Sequence, residues 1–151
     1  MIKVIAFDVF GTVVDMSGVS RDEQRDYGRH LRDYYANRVW KPLSFPKSWE
    51  TIPAHPDSAE GIARLREKFI CVTCSNGPLG FLAKLLKHNK ISMDAIIPLE
   101  LNHVFKTNPA AYLTVCEVLD VKPEEVAMVT ANETFGDLEA SGVLGMRPIL
   151  I

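Results

Sequence analysis

Asp8 closes the apolar run that begins at Ile2, in the stretch VIAFDVFGTVVD. A carboxylate at the end of a buried run is costly unless it is hydrogen-bonded or paired. Alone, it could bind the turn amides ahead of Gly11. Other residues suit it to more. Lys106, in FKTNPAAY, could supply a compensating cation, and the backbone N–H groups of Val9 and Phe10 could form an anion-binding nest. Thr12 could hold a carboxylate or substrate oxygen through its hydroxyl. Ser75, Asn76 and Gly77 end the run FICVTCSNG, and Thr130, Ala131 and Asn132 end EVAMVTAN. Ser75 to Gly77 also reads as a tight turn capping the following helix. Taken together, these groups suit a small anionic ligand.

The elements that must position them can be read from periodicity. IKVIAFD is a β-branched run ending in a turn, and ICVTCS, DAIIPL, EVAMVT and RPILI are similar short apolar runs. Between them lie the helical patterns SAEGIARLREKF, GFLAKLLKHNK, NPAAYLTVCEVLD and FGDLEASGVLG. The alternation predicts an α/β fold: a Rossmann-like open parallel sheet of about five strands, flanked by helices. In such sheets ligands sit outside the carboxyl ends of the strands, where the polar residues above are concentrated. After the first strand, Ser20 to Trp40 is charged and helical, with Ser20 and Glu23 spaced as a capping box. Lys41 to Asp57 holds four prolines and reads as an irregular connector.

The 151 residues suit one domain with a substantial core. A net charge of −2 gives no electrostatic footprint for nucleic acid or an anionic membrane. No apolar run approaches the ~18 residues that span a bilayer, and no signal-peptide layout opens the chain, so a cytoplasmic location is expected. Cys71, Cys74 and Cys116 are an odd set, which argues against a disulfide framework. Cys71 and Cys74 form a C-x-x-C inside an apolar strand, so burial is expected in place of zinc or redox chemistry. The four histidines lie in separate segments without ligand spacing.

These features together resemble the haloacid dehalogenase superfamily of hydrolases. DVFGT is similar to its first motif, an Asp nucleophile with Thr four residues on; VTCSNG is similar to the second; FKTNPAAY, a Lys with Tyr six residues later, to the third. VAMVTANETFGDLEASGVLGM looks like the fourth. The resemblance covers nearly the whole chain outside the segment after Thr12. It implies that Asp8 attacks substrate to form a covalent ester that water hydrolyses. Lys106 would then hold Asp8 ionised, Ser75 and Asn76 would position the substrate's anionic group, and the amides after Asp8 would stabilise developing charge. Tyr112 is either a substrate contact or core packing.

Phe10 separates the branches of the family. Its phosphatases carry a second Asp two residues after the nucleophile, to protonate a poor leaving group. Phe10 cannot transfer a proton, and a halide needs none, so the pattern resembles the 2-haloacid dehalogenase-like (type II) branch, without a cofactor. In that reading Asn132 helps position water, and Asp137 stabilises Lys106 or the water. The stretch ETFG makes this loop about two residues longer than the dehalogenase version. A magnesium-dependent phosphatase is the alternative, with Asp8, Phe10 and Asp137 around Mg2+; a non-catalytic binding protein is a further one. The expected division is residues 1–12 and 57–151 as the α/β core, with 13–56 as a short cap. Tyr27, Tyr34, Tyr35, Trp40 and Trp49 would pack that cap over the site. Dehalogenases grip the halide with a cap arginine; Arg29 is the first candidate, with Arg25, Arg32 and Arg38 competing. The aromatic-rich cap also makes a homodimer an expectation.

Overall fold

The computed structural model describes residues 1–151. Five strands form one sheet: β1 (Val4–Phe7), β2 (Ile70–Thr73), β3 (Ala95–Ile96), β4 (Val126–Thr130) and β5 (Arg147–Leu150). All pair in parallel in the order β3-β2-β1-β4-β5. Every residue of β1 and β4 is buried, as expected of parallel strands covered on both faces. Pairing of Phe7 with both Thr73 and Val129 brings the carboxyl ends of the three inner strands level. The polar residues that follow those strands therefore meet at one rim.

Side chains of β1 alternate between the two faces. Val4 and Ala6 pack with Ala111, Tyr112 and Val115 of α4 (Pro109–Leu119). Ala140 of α5 (Asp137–Val143) completes that side. Ile5 and Phe7 face the other way, against Ile62 of α2 (Ser58–Arg66) and Leu82 and Leu85 of α3 (Leu79–His88). Cys71, in β2, and Cys74, just beyond it, are buried free thiols. Burial pushes them up to about 11 and about 12, so neither presents a thiolate at neutral pH.

Residues 13–56 hold α1 (Arg21–Asn37) and a 3-10 turn at Lys47–Thr51. Helix α1 starts in the capping box foreseen: Ser20 Oγ accepts from the Glu23 N–H and the Ser20 N–H donates to the Glu23 carboxylate. It stops at Asn37, short of Trp40, where Arg38 turns left-handed at φ 55°. Trp49, in the proline-rich connector, is 2% exposed and packs into the α2–α3 side of the core. The third strand is shorter than expected. Pro98 has no N–H for a ladder, and the Ile97 N–H donates to the Thr73 side chain at 3.1 Å. No helix is long and apolar enough to cross a membrane.

Candidate active site

The centre is built at the βα junctions. Asp8 lies one residue past β1, its N–H donating to the Val129 carbonyl at 2.9 Å. The chain then folds tightly: the Val9 carbonyl accepts from the Thr12, Val13 and Val14 amides, and Gly11 sits at φ 86°, a conformation glycine takes without strain. This turn aims the Thr12 hydroxyl back at Asp8, where it donates to Oδ2 at 2.7 Å. The same oxygen of Thr12 accepts from the Ala131 N–H at 2.9 Å, tying the loop after β4 to the carboxylate. The amides of Val9 and Phe10 donate to no group of the chain.

Lys106 is 2% exposed and its ammonium lies between two carboxylates, 2.8 Å from Asp8 Oδ1 and 3.0 Å from Asp137 Oδ2. Asp137 opens α5 fully buried and receives a second hydrogen bond from the Tyr112 hydroxyl at 2.6 Å. Burial alone would lower the Lys106 pKa, but the charges of Asp8 and Asp137 outweigh it and hold the pKa above the usual lysine value. Burial and the Asp137 charge raise Tyr112, so its hydroxyl keeps its proton and donates. The Phe135 ring lies 5.7 Å from the ammonium.

Asn76 fixes the Lys106 backbone: its Oδ1 accepts from the Lys106 N–H at 2.7 Å, and its Nδ2 reaches the Lys106 carbonyl at 3.5 Å. The same Nδ2 donates to the Tyr27 hydroxyl of α1 at 3.3 Å. Ser75 is fully buried beside it, its Oγ accepting from the Gly77 N–H. A β-carbon on Gly77 would lie 3.2 Å from the Phe10 ring, so the glycine lets this turn close against that side chain.

Several residues stand elsewhere than the sequence suggested. Arg29 pairs with Asp26 at 3.0 Å on the exposed side of α1, and Arg25, Arg32 and Arg38 are exposed as well. The helix phase explains this. Tyr27, Leu31 and Tyr34 share the inward face, and Arg29, two residues past Tyr27, points roughly 200° around the axis. Asn132 is exposed, and its Oδ1 accepts from the Thr134 and Phe135 amides, so it holds its own loop together. Tyr112 meets Asp137 and not the open side of Asp8. Tyr27 was expected only to pack, yet it reaches Asn76; its four-residue spacing from Leu31 was the available signal.

Magnesium does not suit this donor set. All four carboxylate oxygens of Asp8 and Asp137 already accept from Lys106, Thr12 or Tyr112, and an ammonium fills the gap between them. No cluster of three or more acidic, histidine or cysteine side chains gathers here. The Lys106 ammonium already neutralises the two carboxylates that do meet, where a magnesium site calls for more hard oxygen ligands.

The family model for haloacid dehalogenase-like hydrolases matches residues 21–134. The chain belongs to that family. Haloacid dehalogenase-like hydrolases similar to it include an (S)-2-haloacid dehalogenase of Xanthobacter autotrophicus, 26% identical over 87% of this chain and 68% of the relative. The crystal structure of the L-2-haloacid dehalogenase PA0810 superposes with a TM-score of 0.86 at 20% identity, covering 99% of this chain and 84% of the other. The Xanthobacter autotrophicus L-2-haloacid dehalogenase with chloropropionic acid covalently bound gives a TM-score of 0.82 at 23% identity, covering 100% and 78%. These two likenesses carry the fold. Asp8 and Asp137 lie outside the matched span, so their part in the site rests on the geometry above.

Proposed function

We propose that this hydrolase displaces halide from short 2-halo acids through an ester on Asp8. The observation that carries the reading is Phe10, two residues past the carboxylate. Its ring packs among Phe45, Trp49, Tyr27 and Phe81 at centroid distances of 5.1 to 6.1 Å. An apolar wall there offers no proton to an alkoxide leaving group but suits a carbon–halogen bond, whose halide departs unprotonated.

In the first step an Asp8 oxygen bonds to C2 of the substrate, and the halide leaves with the C–X electron pair. The amides of Val9 and Phe10 and the Ser75 hydroxyl are the donors assigned to the substrate carboxylate. In the second step water adds to Cγ of Asp8, and Lys106 and Thr12 stabilise the oxyanion that forms. Collapse breaks the Cγ–O bond to the substrate, whose oxygen keeps that electron pair, takes the proton shed by the attacking water and departs as a 2-hydroxy acid. The regenerated carboxyl then ionises beside Lys106. Asp137 keeps the ammonium in place throughout, and residues 13–56 act as a reduced cap that excludes bulk water.

The test is halide release from 2-chloro- and 2-bromopropionate, without added metal, by wild type and Asp8→Asn. Release by wild type that disappears in the variant is expected. A silent wild type would end this reading.

A further inference from the structure

Backside displacement at carbon places the departing halide opposite the incoming Asp8 oxygen, on the side roofed by α1 and the Lys47–Thr51 turn. A halide leaving on that side needs a donor there, because a charge set against apolar side chains without a partner is expensive. The α1 arginines turn outward, and the Asn76 amide hydrogens are committed to Tyr27 and the Lys106 carbonyl. Tyr27 is different. Its oxygen accepts from Asn76, which leaves its own hydrogen without an acceptor in the chain. The phenol sits against the ring of Phe10 at 6.1 Å and of Phe45 at 5.6 Å, within the field of both Lys106 and Asp8. Burial raises its pKa, so the hydroxyl stays protonated at neutral pH. The rings of Phe10, Phe45 and Trp49 pack around it as an apolar, polarisable wall. The Trp49 N–H is buried without a partner in the same cluster.

We propose that Tyr27 is a catalytic residue whose hydroxyl donates a hydrogen bond to the departing halide. This rests on the dehalogenase reading. No proton is transferred: the C–X pair leaves with the halide, and the phenol stays neutral. The dependence on leaving group follows directly. Chloride is the poorest leaving group and the strongest acceptor of the heavier halides, and iodide the reverse, so chloride release should depend most on Tyr27.

The experiment measures kcat for 2-chloro-, 2-bromo- and 2-iodopropionate in wild type, Tyr27→Phe and Phe45→Leu. Tyr27→Phe should lose about 10- to 100-fold on chloride, the range of one hydrogen bond to a charged group, with a smaller loss on bromide and least on iodide. Phe45→Leu, which loosens the same aromatic cluster without removing a donor, should lower all three by a common factor. An equal loss across the series in Tyr27→Phe, or an unchanged chloride rate, overturns the assignment while leaving the dehalogenase reading standing. A wild type inactive on all three substrates removes that reading and this inference with it. Should Tyr27→Phe fail to fold, a ring-fluorinated tyrosine at position 27 keeps the ring and strengthens the donor. It should then raise chloride release relative to iodide, and an unchanged ratio would overturn the proposal.

Discussion

A lysine ammonium as buried as that of Lys106 persists only while its charge is matched, and Asp8 and Asp137 match it from two sides at 2.8 and 3.0 Å. Lys106→Met would leave the two carboxylates without the cation between them. Loss of turnover is expected, with a drop in stability of about 3–5 kcal/mol in urea unfolding. The pH dependence has a defined sign. Lys106 has a folded pKa above its unfolded one, so its contribution is complete below the unfolded value of about 10.4 and is lost as pH rises through the folded value. The stability gap between wild type and Lys106→Met should therefore stay level from pH 7 to about pH 10 as far as Lys106 titration governs it. A gap that closes steadily over that range would contradict the raised pKa.

Helix α1 carries Tyr27 to the site, and its N-terminus depends on a local device. Ser20→Ala removes the side-chain half of the capping box and should cost about 1 kcal/mol, read as faster hydrogen exchange in the first turns of α1. Unchanged exchange there would mean that tertiary packing alone holds the helix. This capping box was legible in the sequence because it is local, and β1, β2 and β4 were legible because strands buried on both faces are continuously apolar. The meeting of Asp8 with Lys106 was legible because parallel strands bring their carboxyl ends to one rim. Three features escaped. Arg29 was chosen for its charge, whereas its phase relative to Tyr27 and Leu31 turns it outward. Asn132 was matched by motif, but its carboxamide is drawn into an Asx turn with the Thr134 and Phe135 amides. The third strand was read through Pro98, whose missing N–H ends the ladder there.

Across the whole molecule the sheet is covered unevenly. Helices α4 and α5 close one face, while on the other a cavity of about 540 Å3 lies between α2 and the β1–β4 surface, lined by Ile5, Ile62, Leu65, Val129 and Ile149. Gly61 of α2 borders it, and a β-carbon there would meet nothing within 4 Å. Gly61→Ala should stabilise the helix by about 0.5–1 kcal/mol and raise the melting midpoint by roughly 1–4 °C, with halide release unchanged. A lowered midpoint would show that the helix needs the glycine's backbone freedom. The charges of the candidate site lie far apart along the chain: Asp8 and Lys106 are separated by 98 positions, and Lys106 and Asp137 by 31. Neither carboxylate can meet the ammonium until the intervening strands have paired, and the ammonium cannot be dehydrated cheaply before both arrive. Activity in this chain should thus be a gauge of finished long-range order, since a sheet that has not yet brought Asp8, Lys106 and Asp137 together lacks the charge triad of the site.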